Sequence, residues 1–200
     1  MDHILNMISE SQLPWLIAGL FALLVLLIAV PVFSYLRKTR EKRTKEKLMK
    51  THTQAVAHDV VVSDGLDGFL FVDYVMQVGS KIYVINELSK AGYVFGGEKI
   101  DEWTNVENNK TAKFNNPLSY VKMVAQSLNH EMNTDIFEAY VLFGQSSDFA
   151  KGVPEGVLQL DSLASLLSAH QSSPEGLQVA SLVWGKLMVY TKMAKAASAH

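Results

Sequence analysis

The most constraining feature of this chain is a long uncharged segment near its N-terminus that ends at a dense cluster of basic residues. Residues 11–36 contain no Asp, Glu, Lys or Arg, and Leu, Ile, Val, Ala and Phe dominate them. As an α-helix such a segment reaches roughly 39 Å, more than the ~30 Å hydrocarbon core of a bilayer. Trp15 and Tyr35 lie near its two ends, where aromatic side chains favour the membrane interface. We therefore predict a transmembrane helix over residues 14–36.

Two other interpretations of this segment fit the residues less well. A core helix of a soluble protein keeps a polar face that recurs every third or fourth residue, and this segment has none. A signal peptide begins with positive charge and ends at small residues. Residues 1–12 carry no Lys or Arg, and residues 31–35 make a poor cleavage site.

The charges on either side of the span predict its orientation. Only Asp2 and Glu10 precede it, whereas residues 37–50 hold eight basic and two acidic side chains. The positive-inside rule then places residues 1–13 outside and the remainder in the cytoplasm, as in a single-pass protein of a bacterial inner membrane. The basic residues nearest the span are candidates for binding anionic lipid head groups. They are Arg37, Lys38, Arg40, Lys42 and Arg43.

The remaining chain is acidic and has no cysteine. Of 18 Lys+Arg and 20 Asp+Glu, eight basic and four acidic residues precede position 51, which leaves 10 basic against 16 acidic side chains over residues 51–200. An acidic domain argues against non-specific nucleic-acid binding, because neutralising phosphates supplies most of that affinity. The absence of cysteine excludes disulfide scaffolds, zinc ribbons and thiol nucleophiles.

Apolar runs after residue 51 predict one α/β domain, with a mixed sheet and helices on both sides. Residues 42–58 continue the first helix or form a polar connector, residues 64–68 form a turn, and no element is assigned to residues 98–116. The domain is expected over residues 51–171, with a C-terminal helix over residues 172–200. The predicted strands are 59–63, 69–78, 81–86, 139–143 and a short one within 156–160; the predicted helices begin at Asn116, Leu160 and Ser173.

Three motifs in this region resemble the nuclease-related domain family. One is an Asp-centred strand, the second is the next strand with its trailing Gly and Trp, and the third is an Asn-Pro-Leu helix opening. The matching residues are Asp73, residues 82–92, Gly96, Trp103, Asn116, Pro117 and Leu118. The resemblance covers roughly residues 55–170. It implies the fold of the PD-(D/E)xK nucleases, a restriction-endonuclease-like domain behind the transmembrane helix.

The resemblance also implies the chemistry that such a domain would perform. Family nucleases hold a divalent metal with an Asp on one strand and a Glu on the next, beside a Lys two residues further on and often a Gln on the following helix. The carboxylates are hard ligands, and the metal activates water. Asp73 agrees with the family's Asp, but Asn86, Leu88 and Tyr120 stand where the family has Glu, Lys and Gln. We therefore expect no metal, no cofactor and no catalysis.

The alternative is an active Mg²⁺-dependent nuclease whose site has shifted to Asp73, Glu87 and Lys90. Glu87 is one residue out of register, so in a regular strand it points to the opposite face from Asn86. Only a bulge would return it to the site. The other interpretation of Asp73 is structural, as a polar residue that bonds strand ends or a turn.

The sequence thus favours a membrane-anchored, catalytically inactive nuclease-like protein that acts through protein–protein interaction. Its expected partners are the lipid bilayer and a membrane protein or its own copies, rather than nucleic acid. By architecture alone, one such role is as an accessory of a DNA-handling membrane machine, as in the exclusion systems of conjugative plasmids. A lipid- or nucleic-acid-binding module led by residues 37–50 remains a third class, and its binding would fall steeply with salt.

Overall fold

The computed structural model describes residues 13–63, 68–169 and 172–198. The chain divides into two compact units between Thr44 and Lys45. The predicted turn lies outside the described residues except for Gly68, and the predicted N-terminal segment lies outside them except for Leu13.

The first unit is formed by most of helix α1 (Leu13–His52), which contains the predicted membrane segment. In the described part of the chain, α1 is the one helix long and apolar enough to cross a membrane. Over residues 17–36 its apolar side chains are exposed, and so is Trp15; Trp15 and Tyr35 are exposed by 80% and 70%. The helix continues through the basic residues to His52, so residues 42–58 contain helix first and the start of a strand afterwards.

The second unit is an α/β domain with two sheets. The strands are β1 (Ala55–Ser63), β2 (Phe69–Val78), β3 (Lys81–Leu88), β4 (Gly92–Phe95), β5 (Glu102–Glu107), β6 (Lys110–Asn115), β7 (Phe137–Phe143), β8 (Ser147–Asp148) and β9 (Val157–Leu158). The helices are α2 (Pro117–Met132), α3 (Leu160–Ser168) and α4 (Pro174–Ala197). The larger sheet has the order β1-β2-β3-β7-β9 and the smaller sheet the order β6-β5-β4-β8. Within the larger sheet β1, β2 and β3 pair antiparallel, whereas β3, β7 and β9 pair parallel, so the predicted mixed sheet is confirmed.

Helices cover both faces of the larger sheet, as the sequence predicts. One core cluster includes Val124 of α2 and Leu187 of α4, and the other includes Leu163 of α3 and Met49 of α1. Met49 is only 2% exposed, so the last turns of α1 are part of the domain. The compact unit therefore begins at Lys45 and includes α4, whereas the sequence suggested limits of 51 and 171.

Two predicted helix starts depend on side-chain caps that the structure contains. Asn116 accepts a hydrogen bond from the backbone N–H of Leu118 at 2.9 Å, and Pro117 occupies the first turn of α2. Ser173 accepts one from the N–H of Gly176 at 3.1 Å at the start of α4. Such caps satisfy backbone donors that have no partner inside the helix, which is why the two motifs fix these boundaries.

The smaller sheet was not predicted, because β5 and β6 occupy residues 98–116, which have few apolar residues. The buried positions of β5 are Trp103 and Asn105, and a polar residue at the second one hides the strand period. Asn105 tolerates burial since its Nδ2 donates to two backbone carbonyl oxygens, at 2.8 and 3.3 Å. Asn108 and Asn109 form the hairpin turn with φ of 49° and 60°, the conformation that two-residue hairpins favour.

Candidate functional site

The residues that the resemblance assigns to the family's metal site lie where strands β2 and β3 separate. Their backbone pairing ends at Tyr74 and Ile85, so Asp73 and Asn86 are the next opposed residues. The N–H of Asp73 donates to Oδ1 of Asn86 at 3.3 Å, and the N–H of Glu87 donates to Oδ2 of Asp73 at 2.6 Å. Side chains thus extend the strand pairing by one step after the backbone pairing has ended.

Asp73 also lies at a change in the alternation of β2. Val72 and Val75 belong to the same core cluster although they are an odd number of residues apart. Opposite this point on β1, Asp59 adopts a φ of 50°, and the β1–β2 register has no pair between Asp59 and Asp73. The carboxylate of Asp73 therefore holds a backbone N–H beside an irregular position in the sheet, which favours the structural interpretation of this residue.

Tyr120, at the position of the family's Gln, bonds the exposed part of β2. Its hydroxyl donates to the carbonyl oxygen of Phe71 at 3.0 Å and accepts from the N–H of Phe71 at 2.8 Å. Phe71 lies beyond the end of the β2–β3 pairing, so these backbone groups need a partner from elsewhere. Tyr120 supplies that partner and fastens α2 to β2, while Leu88 packs against the apolar core.

The residues at these positions do not fit a divalent metal. One oxygen of Asp73 is committed to a backbone N–H, and the amide oxygen of Asn86 is already an acceptor. Leu88 offers no ligand atom, whereas hard cations require several oxygen ligands. In the described ranges, no group of three or more His, Cys, Asp or Glu side chains is arranged to hold a metal.

The side chains of the alternative catalytic residues Glu87 and Lys90 point away from the Asp73 carboxylate. Glu87 points to the other face of the sheet, where Oε2 accepts from the Tyr74 hydroxyl at 2.9 Å and forms an ion pair with Lys45. The β3–β7 pairing is one to one from Ile82 and Phe137 to Leu88 and Phe143, so this part of β3 has no bulge that would turn Glu87 back. Lys90 Nζ lies 5.0 Å from the ring centroid of Phe114. The backbone of Glu87 contacts Asp73, but the structure brings neither the Glu87 carboxylate nor the Lys90 amine to the Asp73 carboxylate.

Lys45 is buried in the domain, although the sequence assigned it to the basic segment 37–50. It is 7% exposed, its Nζ contacts the Glu87 carboxylate, and Nζ donates to the Tyr74 hydroxyl at 3.0 Å. Burial by itself would lower the pKa of Lys45, but the hydrogen bonds with Glu87 and Tyr74 outweigh it, so the pKa is raised. The residues predicted to bind lipid are exposed on α1: Arg37, Lys38, Arg40, Lys42 and Arg43.

We expect the free energy of unfolding to fall as the pH rises above about 10. Burial is the leading cause that raises the pKa of Tyr74, Tyr83 and Tyr140, and for Tyr140 the pKa rises to about 12. A group with a raised folded pKa keeps its proton longer in the folded state. Its stabilisation is complete below the unfolded pKa and is lost as the pH passes the folded value.

Denaturant unfolding between about pH 8 and about pH 11, with tyrosine ionisation followed by absorbance, measures this dependence. Tyr140→Phe is the control, and it should show a smaller alkaline loss than the unmodified protein. A free energy of unfolding that stays constant over this range would contradict the prediction.

The nuclease-related domain family matches residues 36–144, from the end of the apolar segment to just after β7. No curated protein and no solved structure matches the chain. Since the match covers more than half of the sequence, the chain belongs to the nuclease-related domain family.

Proposed function

We propose that this protein is a membrane-anchored member of its family that has lost nuclease activity and acts as an interaction module at the cytoplasmic face of the membrane. The observation that carries the proposal is the use of the former catalytic positions for holding the chain together. Asp73 binds the N–H of Glu87, and Tyr120 binds both backbone polar groups of Phe71.

Nuclease chemistry requires these positions to be free for a metal and for substrate. Water is activated only by a metal that carboxylate oxygens bind. A neighbouring cation then stabilises the negative charge that develops on the phosphate in the transition state. Here an amide and an aliphatic side chain, Asn86 and Leu88, replace the Glu and the Lys. A domain with these substitutions keeps a surface for recognition while the groups for hydrolysis are missing.

The position of the tether favours a partner at the membrane. Under the positive-inside rule, the exposed basic residues after the apolar segment support a domain on the cytoplasmic side. We propose a membrane protein or a second copy of this chain as the partner. One process that fits a tethered nuclease-like fold without catalysis is an accessory role in a DNA-handling membrane machine, such as plasmid exclusion.

The purified full chain in detergent is expected to cleave neither DNA nor RNA in Mg²⁺ or Mn²⁺ beyond the level of its Asp73→Asn variant. Asp73→Asn retains a side-chain acceptor for the N–H of Glu87, so it preserves the strand-end hydrogen bond and reports contaminating nuclease. The measurement is cleavage of labelled substrates, with Mn²⁺ binding followed by calorimetry on the same samples.

Metal-dependent cleavage that disappears in Asp73→Asn would overturn the proposal. If it also disappeared in Glu87→Gln and in Lys90→Met, the alternative active set would be correct. With no cleavage, a photo-crosslinker at Phe71, which is 60% exposed beside Tyr120, would be used to capture the partner in native membranes.

A further inference from the structure

Helix α4 has apolar residues on two opposite faces, and only one of them is buried. The inner face buries Ala180, Val183, Leu187, Thr191 and Ala194, and Val183 and Leu187 belong to the core cluster that includes the larger sheet. The outer face exposes Val179, Leu182, Val189 and Met193 by 49%, 64%, 60% and 67%. In the described residues from Lys45 onward, half of the large apolar side chains that are exposed lie on this one helix, when Leu177 is included.

Three of the outer residues form an exposed stripe, interrupted by Gly185 and Lys186, that no described part of the chain covers. Leu182, Val189 and Met193 follow one another at seven- and four-residue intervals, so they share one side of the helix over roughly 16 Å. Gly185 lies between the first two, and a Cβ placed there would meet nothing within 4 Å.

The net charge of α4 is positive, whereas the net charge of the domain around it is negative. Residues 51–200 are acidic, with 10 basic against 16 acidic side chains. On α4, by contrast, Lys186, Lys192 and Lys195 are exposed, and Glu175 at the first turn is the one acidic residue. Lysines beside an exposed apolar stripe are typical of helices that lie in the interface of an anionic membrane.

We propose that the outer face of α4 lies on the anionic lipid surface of the membrane that anchors the chain. The apolar side chains would enter the boundary between head groups and acyl chains, and the lysines would extend their amines toward lipid phosphates. The tether on α1 keeps the helix at high effective concentration near that surface, so a weak interaction is sufficient. The proposal depends on the membrane span and on the surface of α4, and it holds whether or not the domain is catalytic.

A lipid surface fits this face better than a second copy does. Two copies of α4 packed through the stripe would bring lysines from both helices together, and like charges placed close together repel. An anionic surface instead supplies opposite charge to Lys186 and Lys192, which flank the stripe, and apolar surroundings for Leu182 and Met193.

The chain contains no cysteine, so single spin labels can be placed in the full-length protein. We would label Val189→Cys on the outer face of α4 and, as a matched control, Met123→Cys, which is 45% exposed on α2. Both proteins are reconstituted in nanodiscs of phosphatidylcholine with or without phosphatidylglycerol. Collision with oxygen and with a water-soluble nickel chelate reports whether the label lies in lipid or in water.

With phosphatidylglycerol, we expect the label at position 189 to be protected from nickel and accessible to oxygen; without it, this label should remain accessible to nickel. The accessibilities of the label at 123 should be the same with and without phosphatidylglycerol. Lys186→Gln and Lys192→Gln should each reduce the ratio of docked to free helix about fivefold.

Equal nickel accessibility at 189 and 123 in both lipids would overturn the proposal. Protection at 189 accompanied by spin–spin broadening between chains would also overturn it, since a second copy would then be the occupant. Neither result depends on nuclease activity, so the two proposals fail separately.

Discussion

Replacing Gly96 by Ala is expected to lower the free energy of unfolding by about 3 kcal/mol. A Cβ at this position would lie closer than 3.0 Å to the indole ring of Trp103. That ring is fully buried, stacks on Phe143 with centroids 6.1 Å apart, and donates from Nε1 to the carbonyl oxygen of Gly97 at 3.1 Å. Moving the indole would break these contacts, so the Trp103 ring cannot shift to relieve the clash without loss of stability.

Gly97→Ala is the matched control, because it makes the same chemical change one residue away. Its Cβ would first meet the terminal carbon of Ile100 at 3.4 Å, an ordinary contact with a flexible side chain. The free energy of unfolding should change by no more than about 0.5 kcal/mol. Denaturant unfolding of the full chain in detergent, followed by circular dichroism, measures both variants. Equal destabilisation at the two positions would contradict the prediction.

This comparison shows why the family resemblance predicts the fold better than the chemistry. Gly96, Trp103 and Asn116 match the family and form one structural unit, since Asn116 Nδ2 donates to the carbonyl oxygens of Gly97 and Glu98 at 3.3 and 3.0 Å. A residue with such a packing role has few substitutes. The positions to which the resemblance assigns a chemical role, apart from Asp73, carry Asn86, Leu88 and Tyr120 instead, and these side chains pack or form hydrogen bonds within the domain.

The sequence predicts those parts of the structure that depend on local signals. The uncharged segment predicts the apolar part of α1, the cap at Asn116 predicts the start of α2, and the apolar run 69–78 predicts β2 with its observed bounds. β5 could not be predicted because buried Asn105 replaces an apolar residue, and its hydrogen bonds become visible only in the fold.

The role of Lys45 could not be predicted because its partner is 42 positions away along the chain. A count of basic residues treats every lysine after a membrane span as solvated. One local signal was present, since Lys45 is followed by Leu48 and Met49 at the spacing of a common helix face. That spacing indicates a packed face at the end of α1, although it does not identify Glu87.

Replacing Glu87 by Leu is expected to lower the free energy of unfolding by about 3 kcal/mol, because it leaves the buried ammonium of Lys45 without its carboxylate. Lys45 is 7% exposed and would retain only the Tyr74 hydroxyl. Lys45→Met should cost less, about 1 kcal/mol, since the Glu87 side chain is 31% exposed and can reach water while keeping its bond to Tyr74. Removing both charges in the double variant should recover much of the loss.

The four proteins form a double-mutant cycle that also bears on the alternative nuclease site. If Glu87 stabilises the fold through Lys45, the two substitutions are strongly non-additive in denaturant unfolding. Additive effects, or a Glu87→Leu variant as stable as the unmodified protein, would mean that this carboxylate is free for another role. Strong coupling would instead mean that the carboxylate next to the family's catalytic position now fixes the last turns of α1 to strand β3.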